Sequence, residues 1–593
     1  MAQEDRRGWW PLVIAVVVGL GASAGLYAVL DSDDRAPGEC IAVEVSASTE
    51  KDKLLAAMAE DYNRADREFG GRCAEVRVHG LTSGAGMEAL LGGWAGAKTG
   101  LPEPQVWMPS TSLWLSRMSA RDGADRVVRL DNPSVAASPL VIAMPREMAD
   151  HMRSRTAEPG WADILALANA PDGWAAVGKP EWGEFTLARD NPQLSSSGLG
   201  ASVASFHAGA VAKGVPLTDA AVRDAEVLKF VRGVESSVTR YGNDATRFMA
   251  ELAADDRRGT PPISAIVVQE ELAYLYNRGA TSGDPAALDS GTAPNRPFSV
   301  IHPREGTLVF DHPFVVLASA TQDQRDAAED FRRFLAEDDQ RALFRKAGFR
   351  DADAPDRPTS ELRDALGVPA DSAIRVITPP SPKTLEAMVD AWGATRRHAR
   401  VLLVLDVSGS MSRPADPDAV STELAGKSKV SLLPGAVQRA LELLSPRDEV
   451  GLWTFSTGHR EVVPIRELGG NRDALLTAVE QLRTSGETDL YKTVDAAHAA
   501  MVDGLDGERI NAIVVLSDGA NTPADEKGKR AMLERVDVDN SELALPIFTI
   551  SFGVDADRAT MNDIARATDA LHYAAVDDPE NIDEVFASVF SHF

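Results

Sequence analysis

Cysteine is scarce in this chain: Cys40 and Cys73 are the only two among 593 residues. So few thiols exclude a zinc site built from several cysteines and a small domain held by many disulfides. Each cysteine opens a predicted strand, and one helical segment, KDKLLAAMAEDYNRA, lies between the strands. In such a βαβ unit the strands are parallel and their starts are adjacent, which makes a Cys40–Cys73 disulfide geometrically reasonable. Two unrelated buried thiols are the alternative.

Positive charge is also in short supply. The formal net charge is -28, and no run of Lys and Arg stands out. A nucleic-acid-binding surface needs concentrated basic residues, so the charge argues against nucleic acid as a partner. The chain is 44% hydrophobic and 25% charged, which is typical of folded domains, and it is too long for a single core.

One long apolar run stands near the N-terminus, where residues 9–30 read WWPLVIAVVVGLGASAGLYAVL without a charged side chain. As a helix this segment is long enough to cross a bilayer core of about 30 Å. Arg6 and Arg7 precede it and aspartates follow it, which predicts a cytoplasmic tail at 1–8 and an exported remainder. We therefore expect a single-pass protein of the cell membrane with extracellular domains. A cleaved signal peptide is the alternative, and it also implies export.

Strand and helix patterns then alternate along two long segments. Residues 38–350 and 398–593 each predict an α/β domain, because near-continuous apolar strands alternating with helices indicate mostly parallel sheets covered on both sides. The polar, proline-rich residues 351–397 between them are interpreted as a linker.

A set of oxygen-bearing side chains follows apolar strands of the second segment. VLLVLDVSGSMS, VVLSDG and the turn SGETDL supply Asp406, Ser408, Ser410, Thr488 and Asp518. Ligands bind at the carboxyl ends of strands in open α/β sheets, so we expect these five side chains to meet. Oxygen ligands with only two carboxylates suit Mg²⁺, or Mn²⁺ or Ca²⁺ in its place, with water completing the coordination.

Other interpretations of these residues stay open. Asp, Ser and Thr after a strand are also common helix N-caps. An aspartyl-phosphate nucleophile is a further alternative, although the second acid that such loops carry two residues later is replaced here by Ser408. A serine hydrolase would need G-x-S-x-G, which VSGSM does not provide.

The three motifs DVSGSMS, SGETDL and LSDG, in this order, resemble a von Willebrand factor type A domain. The resemblance implies a doubly wound, Rossmann-like fold and a metal-ion-dependent adhesion site (MIDAS) formed by the five residues above. It also implies a protein partner whose Glu or Asp completes the coordination of the metal. Two departures bear on that partner: residues 413–427 form a polar insertion beside the site, and Glu487 and Asp489 add negative charge.

Residues 38–350 resemble the extracellular solute-binding proteins of transporters, which are two-lobed and bind a ligand in a cleft. The loops VSAS, GLTSGAG and NPQLSSSGLG carry this resemblance. Serines at helix N-termini hold the ligand in the oxyanion-binding members, and helix N-termini favour anions. By position the resemblance implies a small anion bound by Ser46, Ser48, Ser83, Ser196 and Ser197. The alternative is that these serines only form turns and caps.

These observations predict a membrane-anchored extracellular binding protein that engages a macromolecular partner through a cation in its type A domain. A solute receptor for a small anion is the second hypothesis. An enzyme-assembly subunit is the third, because type A domains also occur in chelatase machinery, but no G-x-x-x-x-G-K-[ST] loop is present. No Ser-His-Asp or Cys-His arrangement can be assembled from ten histidines and two cysteines, so we expect no enzymatic activity.

Overall fold

The structure is a computed structural model. It describes residues 40–590 except 66, 70–71, 95–98, 122–131, 260–261, 289–290, 370–373, 416–426, 507–508, 538–544, 554, 569 and 576–581. The predicted tail and the predicted membrane anchor, residues 1–8 and 9–30, lie outside the described residues. Within the part that is described, no helix has both the length and the apolar character needed to span a membrane.

The first lobe is built on a five-stranded sheet. Its strands are β1 (Ile41–Ala47), β2 (Glu68–Phe69), β3 (Arg72–Gly80), β4 (Val106–Met108) and β11 (Val315–Val316). Their order is β11-β4-β1-β3-β2, and β1 is parallel to both β3 and β4. The helices of this lobe are α1 (Asp52–Arg64), α2 (Ser83–Leu91), α3 (Leu113–Ser119), α11 (Gln322–Leu335) and α12 (Asp338–Lys346).

Parallel pairing of β1 and β3 brings their first residues together, as expected for a βαβ unit. Cys40 and Cys73 form a disulfide beside these strand starts, with their Cα atoms 4.4 Å apart. The carboxyl ends of β3, β1 and β4 also lie side by side, and the loops after them carry Ser83, Ser48 and Ser110.

The second lobe holds a six-stranded sheet. Its strands are β5 (Ser138–Pro145), β6 (Leu187–Asp190), β7 (Val238–Gly242), β8 (Ala265–Gln269), β9 (Phe298–Ile301) and β10 (Val309–Phe310). The order is β10-β5-β8-β6-β7, with β9 also paired to β5. All eight residues of β5, SPLVIAMP, are buried, which explains why apolar residues follow Ser138 without a break instead of alternating with polar ones.

Helices cover this second sheet. They are α4 (Arg146–Arg155), α5 (Trp161–Ala168), α6 (Ser196–Lys213), α7 (Asp219–Val222), α8 (Ala225–Glu235), α9 (Ala245–Arg258) and α10 (Glu270–Asn277). The chain passes from the first lobe to the second after β4, and it returns between β10 and β11. Two such crossings leave a cleft between the lobes.

Residues 351–397, interpreted above as a linker, contain two helices that pack on the first domain. Helix α13 (Ser360–Leu366) buries two leucines against the second sheet. Helix α14 (Pro382–Thr395) places Leu385, Met388 and Trp392 in the main core of the first domain. The apolar side chains of KTLEAMVDAW therefore pack in the first domain, so this part of the predicted linker belongs to that domain.

The C-terminal domain has a six-stranded sheet of β12 (His398–Asp406), β13 (Glu449–Phe455), β14 (His459–Glu467), β15 (Arg509–Ser517), β16 (Ile547–Phe552) and β17 (His572–Ala575). The order is β14-β13-β12-β15-β16-β17, and every pair is parallel except β13 with β14. The helices are α15 (Lys429–Glu442), α16 (Leu468–Glu480), α17 (Leu490–Asp503), α18 (Glu526–Val536), α19 (Arg558–Ala567) and α20 (Ile582–Phe590).

Strand β12 shows why its sequence is apolar without alternation. Leu403 and Leu405 pack in the core on one face of the sheet, whereas Leu402 and Val404 pack in the core on the other face. Helices thus cover both faces, as in a doubly wound fold. The strand order also reverses direction at β12 and β15, and the crevice beyond their carboxyl ends is where such sheets bind ligands.

Arg396 joins the two domains at the start of β12. Its guanidinium lies over the rings of Trp392 and Tyr241, 5.6 and 5.9 Å from their centroids, both in the first domain. The same group forms an ion pair with Asp448 of the C-terminal domain, and both residues are buried. Asp448 also accepts the Ala399 backbone N–H at 2.7 Å. The junction is therefore a packed polar contact.

Candidate functional sites

Asp406 ends β12 at the carboxyl edge of the C-terminal sheet. Its Oδ1 accepts the backbone N–H of Ser408 at 2.7 Å, and its Oδ2 accepts the Ser517 hydroxyl at 2.6 Å. Burial raises the pKa of Asp406 to about 6, despite hydrogen bonds from Ser517 and Ser408, and the nearby Asp518 carboxylate raises it further. A fully buried carboxylate that receives only neutral donors is a strong candidate to bind a cation.

The other predicted ligands gather beside it. Ser408 Oγ lies 2.9 Å from Ser410 Oγ, and Ser410 Oγ donates to Asp518 Oδ1 at 2.7 Å. A Cβ on Gly519 would lie 3.8 Å from Ser410 Oγ and 3.9 Å from Thr488 Oγ1, so the two hydroxyls flank the same point. The structure thus brings all five predicted residues to one edge of the sheet.

Backbone hydrogen bonds hold the three loops together. Gly409 donates to the carbonyl of Gly486 at 3.0 Å, and Thr522 donates to the carbonyl of Thr488 at 2.7 Å. Gly486 has φ +80, a left-handed conformation that glycine adopts without a steric penalty. The hydroxyls are therefore positioned by the backbone.

Lys429 is part of this site, and it was missed from the sequence. Its Nζ lies 2.8 Å from Asp518 Oδ2, and both side chains are buried, at 4% and 0% exposed. Gly553 makes room for it, since a Cβ there would lie 2.8 Å from Lys429 Cε. The available signal was a lysine directly before the apolar face of α15, at a position where a polar residue is usually solvated.

The structure describes part of the two departures from the type A pattern, the insertion at 413–427 and the acidic residues Glu487 and Asp489. Residues 416–426 of the insertion lie outside the described residues, but Ala415 N–H donates to the Lys427 carbonyl at 3.0 Å, which pairs its two ends. Asp489 forms an ion pair with Lys492 at 3.1 Å, whereas Glu487 is exposed. The added negative charge is thus compensated at Asp489. Within the described part of the chain, no cluster of three or more His, Cys, Asp or Glu side chains could hold a metal.

The serines predicted for the cleft separate into two groups. Ser196 Oγ donates to Ser83 Oγ at 3.1 Å, and Ser83 Oγ lies 3.4 Å from Ser110 Oγ. Ser48 joins this network through Glu50, while Ser46 and Ser197 are buried with no hydrogen-bond partner for their hydroxyls in the described structure. The structure brings Ser48, Ser83 and Ser196 into one network and leaves the other two out of it.

Direct hydrogen bonds close the cleft. Gly84 N–H, at the start of α2, donates to the Leu194 carbonyl of the second lobe at 2.9 Å. Thr49 Oγ1 donates to Asp244 Oδ1 at 3.0 Å across the same gap. A Cβ on Gly84 would lie 2.2 Å from the Gln193 carbonyl oxygen, so only glycine permits this approach.

A buried ion pair lies at the centre of the cleft network, and sequence reasoning missed it. Lys51 Nζ lies 3.0 Å from Glu50 Oε1, and their side chains are 0% and 5% exposed. Burial raises the pKa of Glu50, but Lys51, His312 and Ser48 outweigh it and hold the pKa at about 2. His312 is fully buried at φ +39, and burial together with Lys51 lowers its pKa to about 3. Glu50 is therefore the charged acceptor of the cleft.

A third feature is a cavity of about 1160 Å³ between the second lobe and the C-terminal domain. Its walls include Arg240 and Tyr276 of the first domain and Arg509 and Phe548 of the C-terminal domain. None of the predicted site residues lines it. The chemistry of the two candidate sites thus lies away from this space.

Two family models match the chain. The family described as bacterial extracellular solute-binding protein matches residues 43–350, and the von Willebrand factor type A domain matches residues 401–521. Both predicted resemblances are confirmed. The first match alone covers more than half of the 593 residues.

Similar proteins include two uncharacterized proteins from two strains of Mycobacterium tuberculosis. Each is 25% identical over 524 residues, which cover 86% of this chain and 70% of the relative. A solved periplasmic thiamin binding protein is 10% identical, with a TM-score of 0.40, and the match covers 61% of this chain and 98% of that one.

A von Willebrand factor type A structure from Catenulispora acidiphila is 18% identical, with a TM-score of 0.28. The match covers 33% of this chain and 42% of that chain, so it spans less than half of that protein. The family matches and the two-domain fold agree: the chain belongs to the bacterial extracellular solute-binding protein family and carries a von Willebrand factor type A domain after it.

Proposed function

We propose that this protein is a membrane-anchored extracellular binding protein whose type A domain engages a macromolecular partner through a divalent cation. One observation carries the proposal: three separate loops direct oxygen side chains to one point at the topological switch of the sheet. The donors are hydroxyls and carboxylates, which suit Mg²⁺ or Mn²⁺.

The residues present fit such an ion. Asp406, Ser408, Ser410, Thr488 and Asp518 would hold it directly or through water. A bound divalent cation would supply an open coordination position for a carboxylate oxygen of a partner. Asp406 is buried without a cationic partner in the described structure, and its raised pKa marks the unfavourable cost of that charge.

Lys429 sets the condition for binding. Its ammonium contacts Asp518 Oδ2 at 2.8 Å, so a metal that uses this oxygen must displace the lysine or share Asp518 with it. Asp518 Oδ1 contacts only the Ser410 hydroxyl among the described contacts. We therefore expect a metal affinity lower than the oxygen set alone would give.

The test is calorimetric titration of the full chain with MnCl₂ and MgCl₂. The expected result is one saturable site that Asp406→Asn abolishes. Asp473→Asn is the matched control, because Asp473 is exposed in the same domain and forms no described contact with the site. No heat and no saturation in the wild type would end the proposal.

Engagement of a partner is tested with the metal-loaded chain and immobilised peptides that carry either Glu or Gln at one central position. We expect retention of the Glu peptides in Mn²⁺ and loss of retention in EDTA or in Asp406→Asn. Equal retention of Glu and Gln peptides would contradict a role for the metal in recognising a carboxylate.

Anchoring rests on residues 9–30 and their flanking charges. We expect the full chain to remain with membranes after alkaline extraction and a chain without residues 9–30 to be released. Recovery in the soluble fraction of a chain that has lost its N-terminal segment would support the cleaved signal peptide instead.

A second candidate function is solute binding in the cleft of the first domain. Two observations favour it: the family match over 43–350 and the closure of two lobes over a buried polar network. The test is the melting temperature of the full chain against a library of neutral, cationic and anionic metabolites. A saturable rise with one class would support it, and no rise with any would count against it.

A further inference from the structure

Glu50 occupies the point at which the hydrogen-bond donors of the cleft converge. Its Oε1 accepts the Ser48 hydroxyl at 2.5 Å, the Ser110 hydroxyl at 2.9 Å and the Lys51 ammonium at 3.0 Å. Two hydroxyls and an ammonium directed at one oxygen are the contacts that an anionic ligand receives. Here a side chain of the protein receives them.

The position of Glu50 follows from the fold. Ser48 and Ser110 follow β1 and β4, whose carboxyl ends are adjacent in a parallel pair. Glu50 and Lys51 lie in the turn between β1 and α1, so the carboxylate enters from the same edge as the donors. All four side chains are at least nine-tenths buried, which removes water as a competing partner.

The surroundings disfavour a second anion. Burial and the nearby Glu50 carboxylate raise the pKa of Glu271, and its Oε1 is buried with no hydrogen-bond partner in the described structure. Asp244, which accepts from Thr49, also faces this region. A free anion would meet these carboxyl groups, and Glu50 already neutralises the ammonium of Lys51.

We infer that the Glu50 carboxylate is a built-in occupant of the anion position in the cleft, so that the native chain takes no free anion there. This inference rests on the second candidate function for the location of the cleft, and it narrows the solute to a neutral or cationic one. It also gives the predicted serines partners within the protein: Ser48 donates to Glu50, Ser196 donates to Ser83, and Ser83 accepts the Ser110 backbone N–H.

The experiment removes the occupant and supplies a free one. Glu50→Ala leaves the donors and Lys51 around a space of the size of a small carboxylate. We expect its melting temperature to fall by several degrees in sodium chloride and to recover most of that loss, with saturation, in about 50 mM sodium formate or acetate. The wild type should show no saturable response to formate, acetate, sulfate or phosphate.

Matched variants separate occupancy from charge. Glu50→Gln removes the charge but fills the space, so it should lose stability without recovery in formate. Glu50→Ala combined with Lys51→Met should not respond either, because the ammonium is gone. Glu60→Ala, an exposed position on α1, should behave like the wild type in every salt.

Three results would overturn the inference. The first is saturable stabilisation of the wild type by one of the four anions. The second is a folded Glu50→Ala that ignores formate and acetate. The third is a Glu50→Ala variant that cannot be purified as folded protein either with or without formate. Folded protein obtained only in the presence of formate would instead support the inference. Stabilisation of the wild type by a neutral or cationic solute would support solute binding and leave the inference intact. Failure of the inference can therefore be distinguished from failure of the solute-binding proposal.

Discussion

A buried lysine contacts a carboxylate in both candidate sites, but the two pairs differ in what surrounds them. In the cleft, Lys51 and Glu50 are neighbours in the chain, and serine hydroxyls complete the coordination of the carboxylate. In the type A domain, Lys429 reaches Asp518 across 89 residues and leaves Asp406 without a cation. In the cleft the Glu50 carboxylate is paired with one lysine. In the type A domain one lysine stands beside two buried carboxyl groups, and it contacts only Asp518.

The pKa values of the carboxyl groups follow this difference. Burial raises the pKa of Asp406 to about 6, whereas the cation beside Glu50 brings its pKa down to about 2 despite burial. Buried charges are stable only when paired. The difference teaches that the buried carboxylate of the cleft has a cation beside it, whereas Asp406 has none among the described residues, as expected for the proposed metal site.

The largest expected effect is in the cleft. Lys51→Met leaves Glu50 buried without its cation, and breaking a buried pair in this way costs about 3–5 kcal/mol. We expect scanning calorimetry of the full chain to show a lower melting temperature for the first domain. A loss below about 1 kcal/mol would show that the pair is weakly coupled and would remove the contrast between the sites.

Glu271→Gln tests the acidic side of the cleft by pH. Burial raises the pKa of Glu271 to about 8, with a Ser138 hydrogen bond opposing and Glu50 adding to the rise. The folded chain therefore keeps a proton that the unfolded chain releases near 4.5, and stability falls as pH rises from about 4.5 to 8.

Between about pH 5 and 8 this group should cost the wild type on the order of 3 kcal/mol of unfolding free energy. Glu271→Gln should lack that part of the pH dependence and be the more stable chain at pH 8. The measurement is the urea midpoint of both chains across this range. Parallel curves for both chains would contradict a raised pKa at Glu271.

Lys429→Met tests the type A site. Without the ammonium, Asp518 is free to bind a metal, so we expect Mn²⁺ affinity to rise about tenfold, or about 1.4 kcal/mol. The metal-free variant should melt below the wild type, and Mn²⁺ should reverse the order. Lys527→Met is the control, since that lysine is exposed on α18 and forms no described contact with the site. Unchanged or weaker Mn²⁺ binding would show that Lys429 does not compete.

The smallest effect is expected at Gly553. Its φ of +83 and the 2.8 Å approach of Lys429 Cε to a Cβ there both oppose a side chain. Gly553→Ala should cost about 1–2 kcal/mol and displace the lysine from Asp518. Mn²⁺ affinity should therefore change in the same direction as in Lys429→Met but less. A loss of stability with no gain in affinity would separate the glycine from the metal site.

Local pattern was sufficient for much of the fold. The apolar strands around Leu403 indicated a mostly parallel sheet covered on both sides, and the resemblance carried by the motifs at Asp406 and Asp518 implied a doubly wound fold. The strand order and the type A family match confirm both. The same reasoning placed Ser48 and Ser83 after strands whose carboxyl ends meet. These features are predictable because strand period and chain order decide which residues reach one edge of a sheet.

The linker interpretation shows where pattern reasoning stopped. The prolines around Pro379 suggest a linker between the domains, yet the helix that follows them, α14, buries Trp392 in the first domain. Helical spacing identifies an apolar face, but the surface that covers that face comes from residues far away in the chain. Packing partners are therefore not readable from a single segment.

By itself the sequence determined two α/β units, a disulfide-compatible pair of strand starts and two sets of oxygen side chains. Only the tertiary structure decided the charge partners: Lys51 on Glu50 inside the cleft and Lys429 on Asp518 beside Asp406. A lysine in sequence is most often solvated, and its energy depends on burial and on the carboxylate that folding brings to it. Burial and distance are properties of the folded chain, so they decided which buried carboxylate has a lysine beside it and which has none among the described residues.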